Sequence, residues 1–138
     1  MKILVCFDGS DKAKHALNKT LELFKGQNPD MMILLVAEEP LDASMENEEV
    51  YEEWQKECHD LLNEAARDVT QLGLEVDAIL ATGDPRKMIM EAIENKAPDL
   101  VVVAKRGKGS VKDALLGSVS TYVVRQAKCP VLVVKKPE

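Results

Sequence analysis

The chain has 138 residues, 46% of them hydrophobic and 30% charged, a composition that can bury a core and argues against disorder. Eighteen Lys+Arg against twenty-four Asp+Glu leave a net charge of −6, a poor balance for neutralising nucleic-acid phosphates. Two histidines exclude a multi-histidine metal site within one chain, and no apolar run approaches the roughly 20 residues of a membrane span.

The length matches one domain, so 1–138 is read as a single unit. Its opening, Met1-Lys2-Ile3-Leu4-Val5-Cys6-Phe7-Asp8, meets a charge too early for a secretory signal. Cys6, Cys58 and Cys129 are odd in number and widely spaced. They fit reduced thiols in a cytoplasm better than a disulfide framework.

Ile3–Phe7 reads as a fully buried strand, followed by the punctuation Asp8-Gly9-Ser10. Ala13, Ala16, Leu17, Leu21 and Phe24 recur at helical spacing, and Gly26 closes that helix. Met31–Ala37 is a second buried strand. An acidic stretch runs from Glu38 to Glu53, and then Trp54, Cys58, Leu61, Leu62, Ala65, Val69 and Leu72 mark one face of a helix ending at Gly73. Leu74, Val76, Ala78 and Leu80 alternate, as an edge strand would. Asp84-Pro85 is an N-cap followed by the first helical position, and Met88, Ile89, Ala92 and Ile93 form that helix's apolar face. Leu100–Ala104 is another buried strand, and Lys105–Gly109 a basic loop. A helix starts near Ser118 with Val119, Tyr122, Val123 and Ala127 inward, and Val131–Val134 is the last strand. This βα alternation with apolar strands predicts an α/β fold: an open parallel sheet with helices on both faces.

In such sheets ligands bind at the carboxyl ends of the strands, at a topological switch point. The fourth strand end is the richest. Lys105, Arg106, Lys108 and Lys112 gather positive charge, and Gly107 and Gly109 permit close backbone approach. Gly117-Ser118 then opens a helix whose unpaired N–H groups suit phosphate. Two readings fit these residues: a polyphosphate cradle, or a solvated basic loop before a serine-capped helix. Asp8 likewise has two, accepting hydrogen bonds from ribose hydroxyls or capping the next helix in competition with Ser10. The dinucleotide fingerprint and the P-loop are both absent, which excludes a dehydrogenase and a P-loop ATPase.

These segments resemble the universal stress protein family along the whole chain. Ile3–Ser10 resembles its opening strand and D-G-S turn, and Gly83-Asp84-Pro85 its G-D-P. Pro98–Val103, Leu115–Ser120 and Cys129–Val134 resemble its later strands and glycine segment. The resemblance implies a five-stranded parallel sheet of order 3-2-1-4-5, of the Rossmann-like, adenine nucleotide alpha hydrolase-like kind. It also implies a homodimer through Val131–Val134, whose apolar strand at a sheet edge invites pairing. Some members bind ATP through G-x-x-G-x9-G-[S/T]. Gly107, Gly117 and Ser118 match three of its positions, and Ala104 replaces the first glycine. The added methyl group either crowds a nucleotide or is harmless at negative φ.

By the same resemblance Asp8 contacts adenosine, and the backbone near Ala37 recognises adenine. Lys108, Gly109, Val119 and Ser120 complete the phosphate side. The implied ligand is ATP, or ADP or AMP, with Mg²⁺. Carboxylates of the acidic stretch would repel phosphate or hold hydrated Mg²⁺, unless that stretch is simply a solvated loop. The leading function is an ATP-binding stress-response or signalling module with little or no hydrolysis and no catalytic residue. Two alternatives stand beside it. One is a dimeric stress adaptor that binds no nucleotide. The other is a slow ATPase or nucleotidyl-transfer enzyme, which needs a positioned base or metal ligand near the γ-phosphate. Neither nucleic acid nor membrane is an expected partner.

Overall fold

The computed structural model describes residues 1–38, 48–105 and 117–137. The elements are β1 (Lys2–Phe7), α1 (Asp11–Leu23), β2 (Asp30–Ala37), α2 (Glu48–Thr70), β3 (Val76–Thr82), α3 (Pro85–Lys96), β4 (Leu100–Ala104), α4 (Ser118–Gln126) and β5 (Val131–Val134). All pairings are parallel, in the order β3-β2-β1-β4-β5. The expected order 3-2-1-4-5 is therefore observed, with the direction of winding reversing between β1 and β4.

Strand alternation divides the core into two layers. Ile3, Val5 and Phe7 of β1 and Met31, Ile33 and Leu35 of β2 face α1 and α2. Leu4, Met32 and Leu34 face the other way, onto α3 and α4. Because successive side chains of a strand point to opposite faces, strands covered on both sides must be apolar along their covered length, as β4 is and as β1 and β2 are beyond their exposed first residues Lys2 and Asp30. Ile33, Leu4, Val101 and Val102 are wholly buried. Each such side chain stabilises the fold by about 1.5–3 kcal/mol relative to leaving it in water.

Two of the boundaries that differ from the sequence reading have a clear physical reason. Helix α2 begins at Glu48, six positions before Trp54, with Glu48 and Glu49 in its first turn. Carboxylates there complement the helix dipole, so the second half of the acidic stretch is helical; 39–47 lie outside the described residues. Helix α1 ends at its cap Phe24, and Gly26 takes its positive φ of 86° two residues further on.

The edge strand β3 is where the alternation placed it, with no fully buried residue. Its outer end carries a Lys96–Asp77 ion pair of 3.5 Å, too exposed to contribute much. Among the described residues, no helix is long and apolar enough to cross a membrane.

Candidate functional site

A cleft of about 1290 Å³ opens at the carboxyl ends of β1, β2 and β4, where the winding reverses. That volume accommodates a small-molecule ligand, whose pockets run from roughly 300 to 1,000 Å³. Cys6, Leu34, Val36, Ile89 and Val103 give it an apolar floor. Burial pushes the Cys6 thiol up to about 12 from 9.0. It is thus a neutral, apolar part of the floor at physiological pH and no nucleophile. Cys58 is also raised, by burial first and by the Glu57 charge second.

Three helix N-termini converge on the cleft, and they are finished differently. Ser10 caps α1: its hydroxyl accepts from Ala13 N–H at 3.1 Å. Asp84 caps α3: its carboxylate accepts from Arg86 N–H at 3.3 Å, with Pro85 in the first turn. Helix α4 has Gly117 as its cap and no side-chain cap hydrogen bond. Its first intrahelical bond runs from Thr121 N–H to Gly117 O, 2.9 Å. The N–H groups of Ser118, Val119 and Ser120 precede that bond and have no acceptor within the helix, and all three residues line the cleft. The Ser120 hydroxyl donates to Ala104 O at 3.1 Å, pinning the first turn of α4 to the end of β4. With its hydroxyl spent there, Ser120 has its backbone N–H left to offer a ligand.

The two readings of Asp8 separate here. Ser10 is the helix cap, and Asp8 Oδ1 instead accepts from Ser10 N–H at 2.9 Å. Asp8 is exposed and lines the cleft, so its carboxylate is at the cleft and is not the cap of α1. Ala104 also lines it. Among the described non-glycine residues only Asn28 and Ala97 have positive φ, so the methyl group of Ala104 sits on ordinary strand backbone without strain.

Ala37 is buried beneath the rim, and its carbonyl accepts from Gly83 N–H at 3.1 Å. Its neighbours Val36 and Glu38 line the cleft on either side of it. Gly117 is the cap of α4, one residue before the cleft-lining Ser118. Gly107, Lys108 and Gly109 lie outside the described residues.

Three cationic residues that sequence reasoning passed over also line the cleft: Lys12 on α1, Arg86 on α3 and Lys136 just beyond β5. The rule that directs attention to strand ends reaches Arg86 and Lys136 when it is extended one turn into the following helix and to the fifth strand. His15 and His59 do not line the cleft. No group of three His, Cys, Asp or Glu side chains among the described residues is placed to hold a metal ion.

Comparison with known proteins agrees with this fold. Residues 1–135 match the Universal stress protein family. The chain is 32% identical to Universal stress protein YxiE of Bacillus subtilis over 145 residues, covering 97% of this chain and 98% of that protein. The solved structure of MJ0577 superposes with a TM-score of 0.83 at 27% identity, covering 99% of this chain and 96% of that one; MJ0577 is a universal stress protein of Methanocaldococcus jannaschii. A universal stress protein family structure from Arabidopsis thaliana, with AMP bound, matches with a TM-score of 0.73 at 25% identity, over 99% of this chain and 92% of that one. From its first strand to the residues just past its last, this chain belongs to the universal stress protein family.

Proposed function

We propose that the chain binds an adenine nucleotide, ATP or else ADP or AMP, and acts as a stress-response signalling module with little or no hydrolysis. The observation that carries this reading is the bare N-terminus of α4, presenting three backbone N–H groups to a cleft at the switch point. Two neighbouring helices are capped by their own side chains, whereas this one leaves its donors for an external anion. The relative from Arabidopsis thaliana that holds AMP supports the same ligand class.

In this reading Ser118, Val119 and Ser120 hold a phosphoryl group through their N–H groups, with Gly117 allowing it to approach. Asp8 accepts from the ribose hydroxyls. The main chain around Ala37 reads the adenine edge, above the apolar floor of Val36 and Cys6. Gly107, Lys108 and Gly109 are assigned to the phosphate side by sequence pattern. Mg²⁺ accompanies the phosphates and offsets their charge; among the described residues Asp8, Asp11, Glu38 and Asp84 are the carboxylates that line the cleft. The chain pairs with a second copy through the edge of β5, where Val131, Leu132 and Val133 are only partly covered.

Amide correlation spectra recorded during titration with Mg²⁺-ATP test both parts. Ser118–Ser120 and Asp8–Ser10 should show the largest shifts, and line widths should correspond to a dimer. Shifts clustering away from α4 would overturn the placement of the phosphates, and monomer line widths the pairing.

A further inference from the structure

We infer that Arg86 is a second phosphate-holding residue, and that it makes the cleft select nucleotides with two or more phosphoryl groups over those with one. The inference rests on the nucleotide reading above and deepens it. Arg86 is the one arginine lining the cleft among the described residues. It occupies the second position of α3, where its backbone N–H is held by Asp84 Oδ1 at 3.3 Å. Its guanidinium carbon lies 5.5 Å from the centre of the Tyr122 ring, the geometry of a cation stacked on an aromatic face.

Tyr122 stands on α4 four residues after Ser118, so ring and cradle are one helical turn apart. The stack therefore parks a permanent positive charge beside the bare helix end, on the opposite wall from α1. Among the described residues the ion pairs are Lys19–Glu22 and Lys96–Asp77, so no carboxylate there neutralises Arg86. Asp8, Asp11, Glu38 and Asp84 also line the cleft, and none of them forms an ion pair with Arg86.

The chemistry divides accordingly. Three convergent N–H groups suit the oxygens of one phosphoryl group. A guanidinium presents a planar fork that binds a second phosphoryl group bidentately, which the point charges of Lys12 and Lys136 cannot do. A monophosphate fills the cradle and leaves Arg86 on Tyr122. A di- or triphosphate engages both. Tyr122 is a positioning residue, acting through the arginine that it holds.

Calorimetric titration of the full chain with ATP, ADP, AMP and adenosine tests this. Arg86→Met, an exposed position that leaves the cap intact, should weaken ATP and ADP roughly 10- to 100-fold, the worth of a charge-assisted contact. AMP should change far less and adenosine not at all. Tyr122→Leu should lower the ATP-to-AMP preference in part, and Tyr122→Phe, which keeps the ring, should restore it. An unchanged ATP-to-AMP ratio in Arg86→Met, with the wild type binding normally, would overturn the role of Arg86 alone. A wild type that binds none of the four ligands would overturn the nucleotide reading itself and this inference with it.

Discussion

Replacing Gly117 with aspartate is expected to raise the stability of the fold and to abolish nucleotide binding. Gly117 caps α4 with φ −64° and ψ 162°, values that aspartate adopts without strain and that an N-cap requires. Its carboxylate would accept from the N–H groups two or three residues on, which no side chain among the described residues now satisfies. The cap and the helix dipole together should add about 0.5–1 kcal/mol. The same oxygens would occupy the space meant for phosphate and place a like charge against it. ATP affinity should then fall by about 100-fold or more, since the charge-assisted contacts are lost and a repulsion replaces them. Gly117→Ser would supply a neutral cap without the charge on the helix dipole, and should cost less affinity for a smaller gain in stability. Opposite signs in stability and binding distinguish this from general damage to the fold. Retained ATP affinity in Gly117→Asp would show that the phosphates lie elsewhere.

Gly9→Val should destabilise the protein by about 3–5 kcal/mol, by summing the cost of left-handed backbone for a branched residue and of overpacking. Gly9 has a φ of 80°, and a Cβ there would lie 2.9 Å from Cδ1 and 3.2 Å from Cδ2 of Leu61. Leu61 comes from α2, so that helix packs directly over the turn that carries Asp8 and Ser10. The alanine variant should cost only about 1–2 kcal/mol, because the obstructing methyl groups are the mobile end of the leucine and can move aside. Gly26 provides the comparison: its φ is 86°, and nothing lies within 4 Å of the added atom. Gly26→Val therefore isolates the backbone cost. Urea unfolding of both valine variants should show a clear excess loss at Gly9, and equal losses would mean that Leu61 does not constrain the turn.

The fold was legible wherever burial on both faces left one choice of residue. Leu100–Ala104 was read to the residue because Val101, Val102 and Val103 are enclosed by helices on either side. Asp84 was read to the residue because a helix start has local chemistry of its own, and the helix near Ser118 was placed, although its cap is Gly117 and not a serine. The start of α2 was misplaced for a physical reason: glutamates are at home both in a solvated loop and in a helix's first turn. The cleft was half legible. Strand ends pointed to Asp8 and Ala104, the helix opening to Gly117 and Ser118, and the family resemblance to Val119 and Ser120. Arg86 was not found because periodicity assigns a residue to a helix face without saying which helix stands opposite. Its partner Tyr122 was read as inward-facing, and it is partly buried, but the cation over its ring follows from the packing of α3 against α4. Nor could sequence settle the capping contest between Asp8 and Ser10, since both side chains suit the role and the choice depends on the path of the turn.

The most direct single measurement is the thermal midpoint of the full chain with and without Mg²⁺-ATP, with Mg²⁺-GTP as the comparison. Ligand at 100 times its dissociation constant stabilises the bound fold by about 2.7 kcal/mol. For a chain of this length that corresponds to a rise of roughly 10 °C. A rise of that size with ATP and a much smaller one with GTP is the result predicted by an adenine-reading cleft with its phosphate cradle at Ser118–Ser120. No rise at millimolar ATP, or equal rises with both nucleotides, would contradict it.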